Sequence, residues 1–170
     1  TNPNNTIKNN RFIDIQPGFP VSSAAQGAGA GMSVHAVYLD DMLSGFSVEG
    51  NTFEGCSNAV FVGGGRNTSI VDNQCRGCGT MVAVDSRGAQ QQARCANATG
   101  DTRRALAETN VSVVGSAWNE AFPSLQRIAG DHPCLPVHVV VKGNRWCGSE
   151  GGAARFSIPP LNDSQWREWL

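Results

Sequence analysis

Two aspartates and a glycine recur at a fixed spacing and have the residue types of a hydrolytic site. Asp41, Gly63 and Asp85 lie 22 residues apart, in the short apolar segments VYLDD, VFVGG and VAVDS. Adjacent strands of a sheet lie about 4.8 Å apart, so stacking separates the two aspartate backbones by about 10 Å. Paired carboxyl groups hydrolyse glycosidic bonds, one as general acid and the other as base or nucleophile. The spacing therefore predicts Asp41 and Asp85 as a catalytic pair flanking Gly63.

Strand alternation leaves the choice of acid open. Asp41 shares its phase with Val37 and Leu39, so it points inward unless the strand ends before it. If the strand continues, Asp40 faces outward and becomes the better candidate. Carboxyl separations of about 5 to 5.5 Å suit retaining hydrolysis and about 6.5 to 9.5 Å inverting hydrolysis, and the backbone spacing favours inversion. The alternative is that the stacked acids only cap a turn.

Four further residues are candidates for binding a substrate. Arg66 and Arg87 follow the acid column closely and can hold carboxylates or sugar hydroxyls through forked hydrogen bonds. Trp118 offers a flat ring for stacking on a sugar, and His35 lies just before VYLDD. The alternatives are solvated surface arginines and a packed or exposed histidine.

The segments that position these residues share the same period. The segments FSVEGN and TSIVDN are separated by the same 22 residues, which aligns Asn51 with Asn73. The segments TIKNN and VVVKGN fit the same pattern at Asn10 and Asn144 if insertions of roughly 19 and 49 residues are allowed. Short β-branched segments with Asn and Gly at their corners, repeating at this length, are typical of a solenoid. We expect left-handed backbone and stacked amide hydrogen bonds at these asparagines.

An apolar column accompanies the asparagines. The residues two positions after them are Phe12, Phe53, Cys75 and Trp146. Equivalent positions of successive coils point into the same core, so this column is expected to face inward. The pattern predicts an all-β fold, a parallel β-helix.

Two insertions interrupt the predicted coil. Residues 16–34 are rich in Pro, Gly, Ala and Ser and predict a protruding loop that either walls a groove or is a plain linker. Residues 86–136 predict an inserted lobe of mixed loop and helical structure. The chain begins inside a predicted strand, so we interpret residues 1–170 as a single β-helix fragment of a longer protein. Its open ends would be covered by the rest of that protein or by another chain.

Six cysteines allow several pairings. A bridge between Cys95 and Cys134 would close a loop of about 40 residues and stabilise it by roughly 4 kcal/mol. Cys56 and Cys78 lie 22 residues apart, which predicts either a bridge between neighbouring coils or a buried pair of thiols. The segment CRGC has the spacing of a redox or zinc motif, but the repeat accounts for both of its cysteines, and we expect no metal.

Composition narrows the possible partners. A net charge of −1 with 16% charged residues offers no basic surface for nucleic acid or for anionic membranes. No segment approaches the 18 apolar residues of a membrane span. Cysteines and glycosylation sequons together predict an extracellular or secretory-pathway location. The predicted glycosylation sites are Asn4, Asn67, Asn97, Asn110 and Asn162.

Several motifs resemble a known family. YLDDMLSG, GNTF, VFVGGGRN, VDSRG, FPSLQRI and GNRW occur in this order over about two-thirds of the chain. They resemble right-handed parallel β-helix proteins of the pectate-lyase-like superfamily, specifically relatives of glycoside hydrolase family 141. The resemblance implies a right-handed coil and α-L-fucosidase or xylanase chemistry with acidic residues near Asp41 and Asp85. We expect no cofactor.

Two functions from different classes follow. The first is a secreted glycoside hydrolase that acts on a polysaccharide with paired aspartates, which requires an open groove above Gly63. The second is a non-catalytic extracellular structural or adhesive β-helix that assembles with other chains, for which the notch at Gly63 would be filled.

Overall fold

Short strands are the main regular structure in the described part of the chain, which contains almost no helix. A computed structural model describes residues 5–17, 34–89 and 134–147, together with Glu120, Ala121, Pro123 and the backbone of residues 154–157. A 3₁₀ turn at Arg87–Ala89 follows the ninth described strand. In chain order the strands are β1 (Asn5–Lys8), β2 (Arg11–Ile13), β3 (His35–Leu39), β4 (Phe46–Glu49), β5 (Thr52–Glu54), β6 (Asn58–Gly63), β7 (Ser69–Val71), β8 (Gln74–Arg76), β9 (Thr80–Asp85), β10 (Val140–Lys142), β11 (Arg145–Cys147) and β12 (Ala154–Ser157).

The strands form three parallel sheets of four strands each within the described residues. Sheet A has the order β1-β4-β7-β10, sheet B the order β2-β5-β8-β11, and sheet C the order β3-β6-β9-β12. Successive strands therefore enter successive sheets, and every third strand returns to the same sheet beside its predecessor. The fold is all-β with parallel sheets, as the sequence predicts.

A left-handed residue makes the corner between sheets A and B in every coil. This residue is Asn9, Gly50, Asp72 or Gly143, with φ between 53° and 67°. Only Gly, Asn and Asp adopt this conformation readily, which explains the residue types at the corner. The expectation that Asn10, Asn51, Asn73 and Asn144 are themselves left-handed is wrong, because the residue before each of them makes the bend.

Those four asparagines form a continuous ladder. Nδ2 of Asn10 donates to Oδ1 of Asn51, Nδ2 of Asn51 to Oδ1 of Asn73, and Nδ2 of Asn73 to Oδ1 of Asn144, at 3.2, 3.0 and 2.9 Å. The backbone N–H of each of the first three also donates to the Oδ1 of the next. Asn51 and Asn73 are fully buried, so every amide group here needs these partners. The predicted amide stacking is confirmed.

The predicted inward column is also confirmed. In sheet B, Phe12 pairs with Phe53, Phe53 with Cys75, and Cys75 with Trp146. The rings of Phe12 and Phe53 stack with centroids 4.9 Å apart. Around this column lie buried aliphatic side chains from sheets A and C, including Val48, Val60, Val62, Ile70, Val82 and Val84. This core fixes which face of each strand points outward.

The cysteine pairing differs from the prediction. Cys75 and Cys78 form a disulfide with Cα atoms 6.0 Å apart, and Cys56 is a buried free thiol, so the predicted Cys56–Cys78 bridge is wrong. The physical reason is local: Gly77 adopts φ of 64° and turns the chain so that Cys78 reaches back to Cys75 in its own coil. Cys134 is disulfide-bonded, while its predicted partner Cys95 lies outside the described residues.

The two predicted insertions fall largely outside the described residues. Residues 18–33 of the predicted loop are not described. Of the predicted lobe, the structure describes residues 86–89 and 134–136, with Glu120, Ala121 and Pro123 between them. Both assignments stay predictions.

Candidate functional site

Two of the predicted acids lie in the expected column at one edge of sheet C. Gly63 pairs with Asp85. The last pair between β3 and β6 is Leu39 with Val62, so continuing the same register aligns Asp40 with Gly63. Asp41 lies in the following turn with φ of 44°. The column is therefore Asp40, Gly63 and Asp85, and the predicted alignment of Asp41 is wrong.

One additional residue in a corner causes this shift. Leu39 and Val48 are nine residues apart, whereas their sheet partners Val62 and Ile70 are eight apart. Counting a constant period of 22 through this corner therefore moves the alignment by one position. β3 ends before the aspartates, as the sequence suggests, and both Asp40 and Asp41 are exposed at the edge of the sheet.

Arg87 joins all three acids. Its Nη2 lies 3.2 Å from Asp85 Oδ2, and its Nε and backbone N–H donate to Asp85 Oδ1 at 3.3 and 3.2 Å. Its Nη1 donates to Asp40 Oδ1 and, at 3.4 Å, to Asp41 Oδ1. The guanidinium thus lies between Asp85 on one side and Asp40 and Asp41 on the other.

The arginine fills the notch that the sequence predicts above Gly63. A Cβ atom built on Gly63 would lie 2.6 Å from Arg87 Cζ and 2.7 Å from its Nε. The guanidinium packs directly onto the backbone of β6, so a side chain at position 63 would have to displace it. The 3₁₀ turn that follows β9 carries the side chain back over the sheet to reach this position.

Arg87 is held by its surroundings in the charged state. Its side chain is 11% exposed. Burial lowers the pKa of Arg87, but hydrogen bonds with Asp85 and Tyr38 raise it, and the net pKa lies above the ordinary arginine value. The guanidinium carbon also lies 5.0 Å from the ring centre of Phe61 and 5.8 Å from that of Tyr38. Cation–π contact of this kind adds to the ion pairs.

Aromatic rings continue from this cluster along the outer face of sheet C. Tyr38 and Phe61 are neighbours on β3 and β6, with ring centroids 5.0 Å apart. His35 stacks on Tyr38 at 5.4 Å and contacts Phe61 at 4.8 Å. Tyr38 is 50% exposed, so the group presents ring surface to solvent. We call these three residues and the Asp40–Asp41–Asp85–Arg87 cluster the aromatic–acid face.

His35 belongs to this face but does not contact the acids. Burial lowers the pKa of His35, and the positive charge of Arg87 lowers it further. Its Nδ1 is buried and makes no hydrogen bond to any residue that the structure describes. A neutral imidazole that acts as a packing ring fits this environment better than a charged one.

The remaining predicted site residues lie elsewhere or are not described. Arg66 is 9% exposed, so it is a buried residue of the corner after β6 rather than part of the exposed face. Asn67 of the sequon N-T-S is partly exposed, with φ of 52°. Trp118 and the other sequon asparagines, Asn4, Asn97, Asn110 and Asn162, lie outside the described residues.

Sequence reasoning missed Tyr38 and Phe61. Neither is among the predicted site residues, although strand alternation with the inward-pointing Val37, Leu39 and Val62 places both on the outer face of the sheet. Within the described residues, no group of three or more His, Cys, Asp or Glu side chains has the geometry of a metal site. The described segments also contain no helix of the length and apolarity that crossing a membrane demands.

No family model, curated protein or solved structure matches the chain. The resemblance to glycoside hydrolase family 141 therefore stays a prediction.

Proposed function

We propose that this chain forms an extracellular, right-handed parallel β-helix that binds polysaccharide through the aromatic–acid face without hydrolysing it. The proposal joins the carbohydrate ligand of the first sequence hypothesis with the non-catalytic role of the second. The single observation that carries it is the position of Arg87 between the acids.

The connectivity supports a β-helix. Successive strands enter the three parallel sheets in turn, and an internal asparagine ladder joins four successive coils. Both features are typical of solenoids in which each coil packs on the last. The Cys75–Cys78 disulfide supports passage through an oxidising compartment.

The position of Arg87 argues against hydrolysis. A glycosidase needs the scissile bond, and in inverting enzymes a water molecule as well, to lie between its two carboxyl groups. Here the guanidinium occupies that space and packs onto Gly63, so a sugar ring cannot enter between Asp85 and the other two acids. Expelling Arg87 would break its contacts with three carboxylates and two aromatic rings.

The aromatic rings support sugar binding. Exposed ring faces stack on the apolar faces of pyranoses, and neighbouring carboxylates accept hydrogen bonds from sugar hydroxyls. Tyr38 and Phe61 lie on adjacent strands, next to Asp40 and Asp41 at the end of β3. An extended glycan can therefore contact rings and acceptors together.

Two assays on the same preparation test this function. Retention on insoluble polysaccharides measures binding, and release of reducing ends from soluble ones measures hydrolysis. We expect binding without reducing-end release. Tyr38→Ala should weaken binding by up to about tenfold, since an aromatic stacking contact is worth about 0.5–1.5 kcal/mol. Ile13→Ala on β2 is the matched control because Ile13 is similarly exposed, at 47%, on a different sheet.

A glycoside hydrolase is the second candidate. The observation in its favour is that the side chains of Asp40 and Asp41 are 50% and 64% exposed and remain accessible to substrate beside Arg87. The unmodified protein would then release reducing ends, and the Asp40→Asn and Asp85→Asn variants would fold but release none. This result would establish the hydrolase and overturn the non-catalytic proposal.

A further inference from the structure

We infer that the aromatic–acid face selects glycans carrying protonated amines, such as oligomers of glucosamine, over neutral glycans and over uronates. This inference rests on the proposed binding function and specifies its ligand class. It follows from the charge of the face and from the position of its acceptors relative to Tyr38.

The face carries excess negative charge among its described side chains. Three carboxylates surround one guanidinium, and the acids are the exposed partners: Asp40 and Asp41 are 50% and 64% exposed, whereas Arg87 is 11% exposed. A ligand approaching from solvent therefore meets carboxylate oxygens, while the compensating positive charge lies beneath them. Such a surface attracts cations and repels anions.

One acceptor is well placed for an ammonium group. Asp40 Oδ1 accepts hydrogen bonds from the backbone N–H of Asp41 and from Arg87 Nη1. No described residue donates a hydrogen bond to Asp40 Oδ2. Asp40 follows Tyr38 by two positions, which corresponds to about 7 Å along an extended chain. A pyranose stacked on the Tyr38 ring therefore places a ring substituent within reach of the Asp40 carboxylate. Charge-assisted hydrogen bonds are about twice as strong as neutral ones.

The selectivity is assigned to the β3 end of the face. In backbone register Arg155 of β12 pairs with Ala83 of β9, which places Arg155 three strands away from Tyr38 of β3. The carboxylates of Asp40 and Asp41, by contrast, directly follow β3. A glycan that stacks on Tyr38 and Phe61 is thus next to the acids.

The test uses three soluble hexasaccharides: β-1,4-linked glucosamine, its N-acetylated counterpart and oligogalacturonate. Calorimetric titration is carried out at a pH at which the amines are protonated. We expect the amino oligomer to bind about tenfold more tightly than the N-acetylated one, and the uronate to bind most weakly. Because exposed ion pairs are screened by salt, the preference should shrink at high ionic strength.

Two variants locate the effect. Asp40→Asn should reduce the ratio of amino to N-acetyl affinity toward unity, and Asp41→Asn serves as the second variant if the first does not fold. Equal binding of the amino and N-acetylated oligomers, or tightest binding of the uronate, would overturn the inference and leave the binding function standing. Binding of none of the three would overturn both.

Discussion

Replacing Asn73 by alanine should destabilise the fold more than any other change to the asparagine ladder. Asn73 is fully buried, and its side chain makes four hydrogen bonds. Nδ2 donates to Asn144 Oδ1 and to the Val48 carbonyl, both at 2.9 Å, and Oδ1 accepts from the backbone and side-chain nitrogens of Asn51 at 2.9 and 3.0 Å. Alanine removes all four bonds and offers no replacement.

The cost follows from which partners are left without a hydrogen bond. The side chain of Asn51 keeps its bond to the Ile7 carbonyl, and Asn144 Oδ1 keeps the backbone N–H of residue 73. The buried N–H of Asn51 and carbonyl of Val48 lose these bonds, at about 1–3 kcal/mol each. We expect the free energy of unfolding to fall by about 3–5 kcal/mol, a large part of the roughly 5–15 kcal/mol of a typical domain.

Asn10→Ala provides the matched control. Asn10 stands at the exposed end of the ladder, and Asn51 Oδ1 would still accept from the backbone N–H of residue 10. This variant should lose about 1 kcal/mol or less, since water replaces the missing partners. Urea unfolding followed by circular dichroism gives both values. Equal losses in Asn10→Ala and Asn73→Ala would refute the argument that burial of the ladder determines its contribution.

Three further outcomes are expected. Gly63→Ala should displace the Arg87 guanidinium and lower the free energy of unfolding by about 1–3 kcal/mol. In an Arg87→Ala background the same change should cost much less. Additive losses in this double-mutant cycle would contradict the packing of Arg87 on Gly63. The pKa of His35 is lowered in the fold by burial and by Arg87, so the unfolded chain takes up a proton first as the pH falls. The contribution of His35 to stability should therefore be fully present above the unfolded pKa of about 6.5 and be lost as the pH drops toward the folded pKa. If a His35→Gln variant has the same slope of melting temperature against pH as the unmodified protein, His35 is not the origin of the pH dependence. Of the two free thiols among the described residues, exposed Cys147 should be alkylated in the native protein, whereas buried Cys56 should react only on unfolding; peptide mass mapping that shows rapid labelling of Cys56 would contradict its burial.

The repeat could be predicted from the sequence because it depends on residues that stack on their own equivalents. The asparagine ladder and the column from Phe12 to Trp146 recur at nearly constant spacing and involve one residue type or one polarity. The left-handed corner cannot be located from the repeat alone, because the residues that form it, Asn9, Gly50, Asp72 and Gly143, differ in type. Their shared feature is a backbone angle, which the repeat pattern does not encode.

The site was harder to predict for two physical reasons. One additional residue between Leu39 and Val48 shifts Asp41 out of the column, and a constant period cannot detect it. The path of a long side chain is also not specified by its position in the chain. Arg87 follows Asp85 by two residues, yet its guanidinium reaches Asp40, 47 positions earlier, because Gly63 leaves room for it.

The asparagine ladder also has an electrical consequence. Each amide is oriented with its Nδ2 toward the next coil, from Asn10 through Asn51 and Asn73 to Asn144, so the four side-chain dipoles point in the same sense. Aligned amide dipoles add, as they do along a helix, and each polarises the next. The interior of this fold therefore carries a side-chain macrodipole that runs across the strands, with its negative pole at the β1 end.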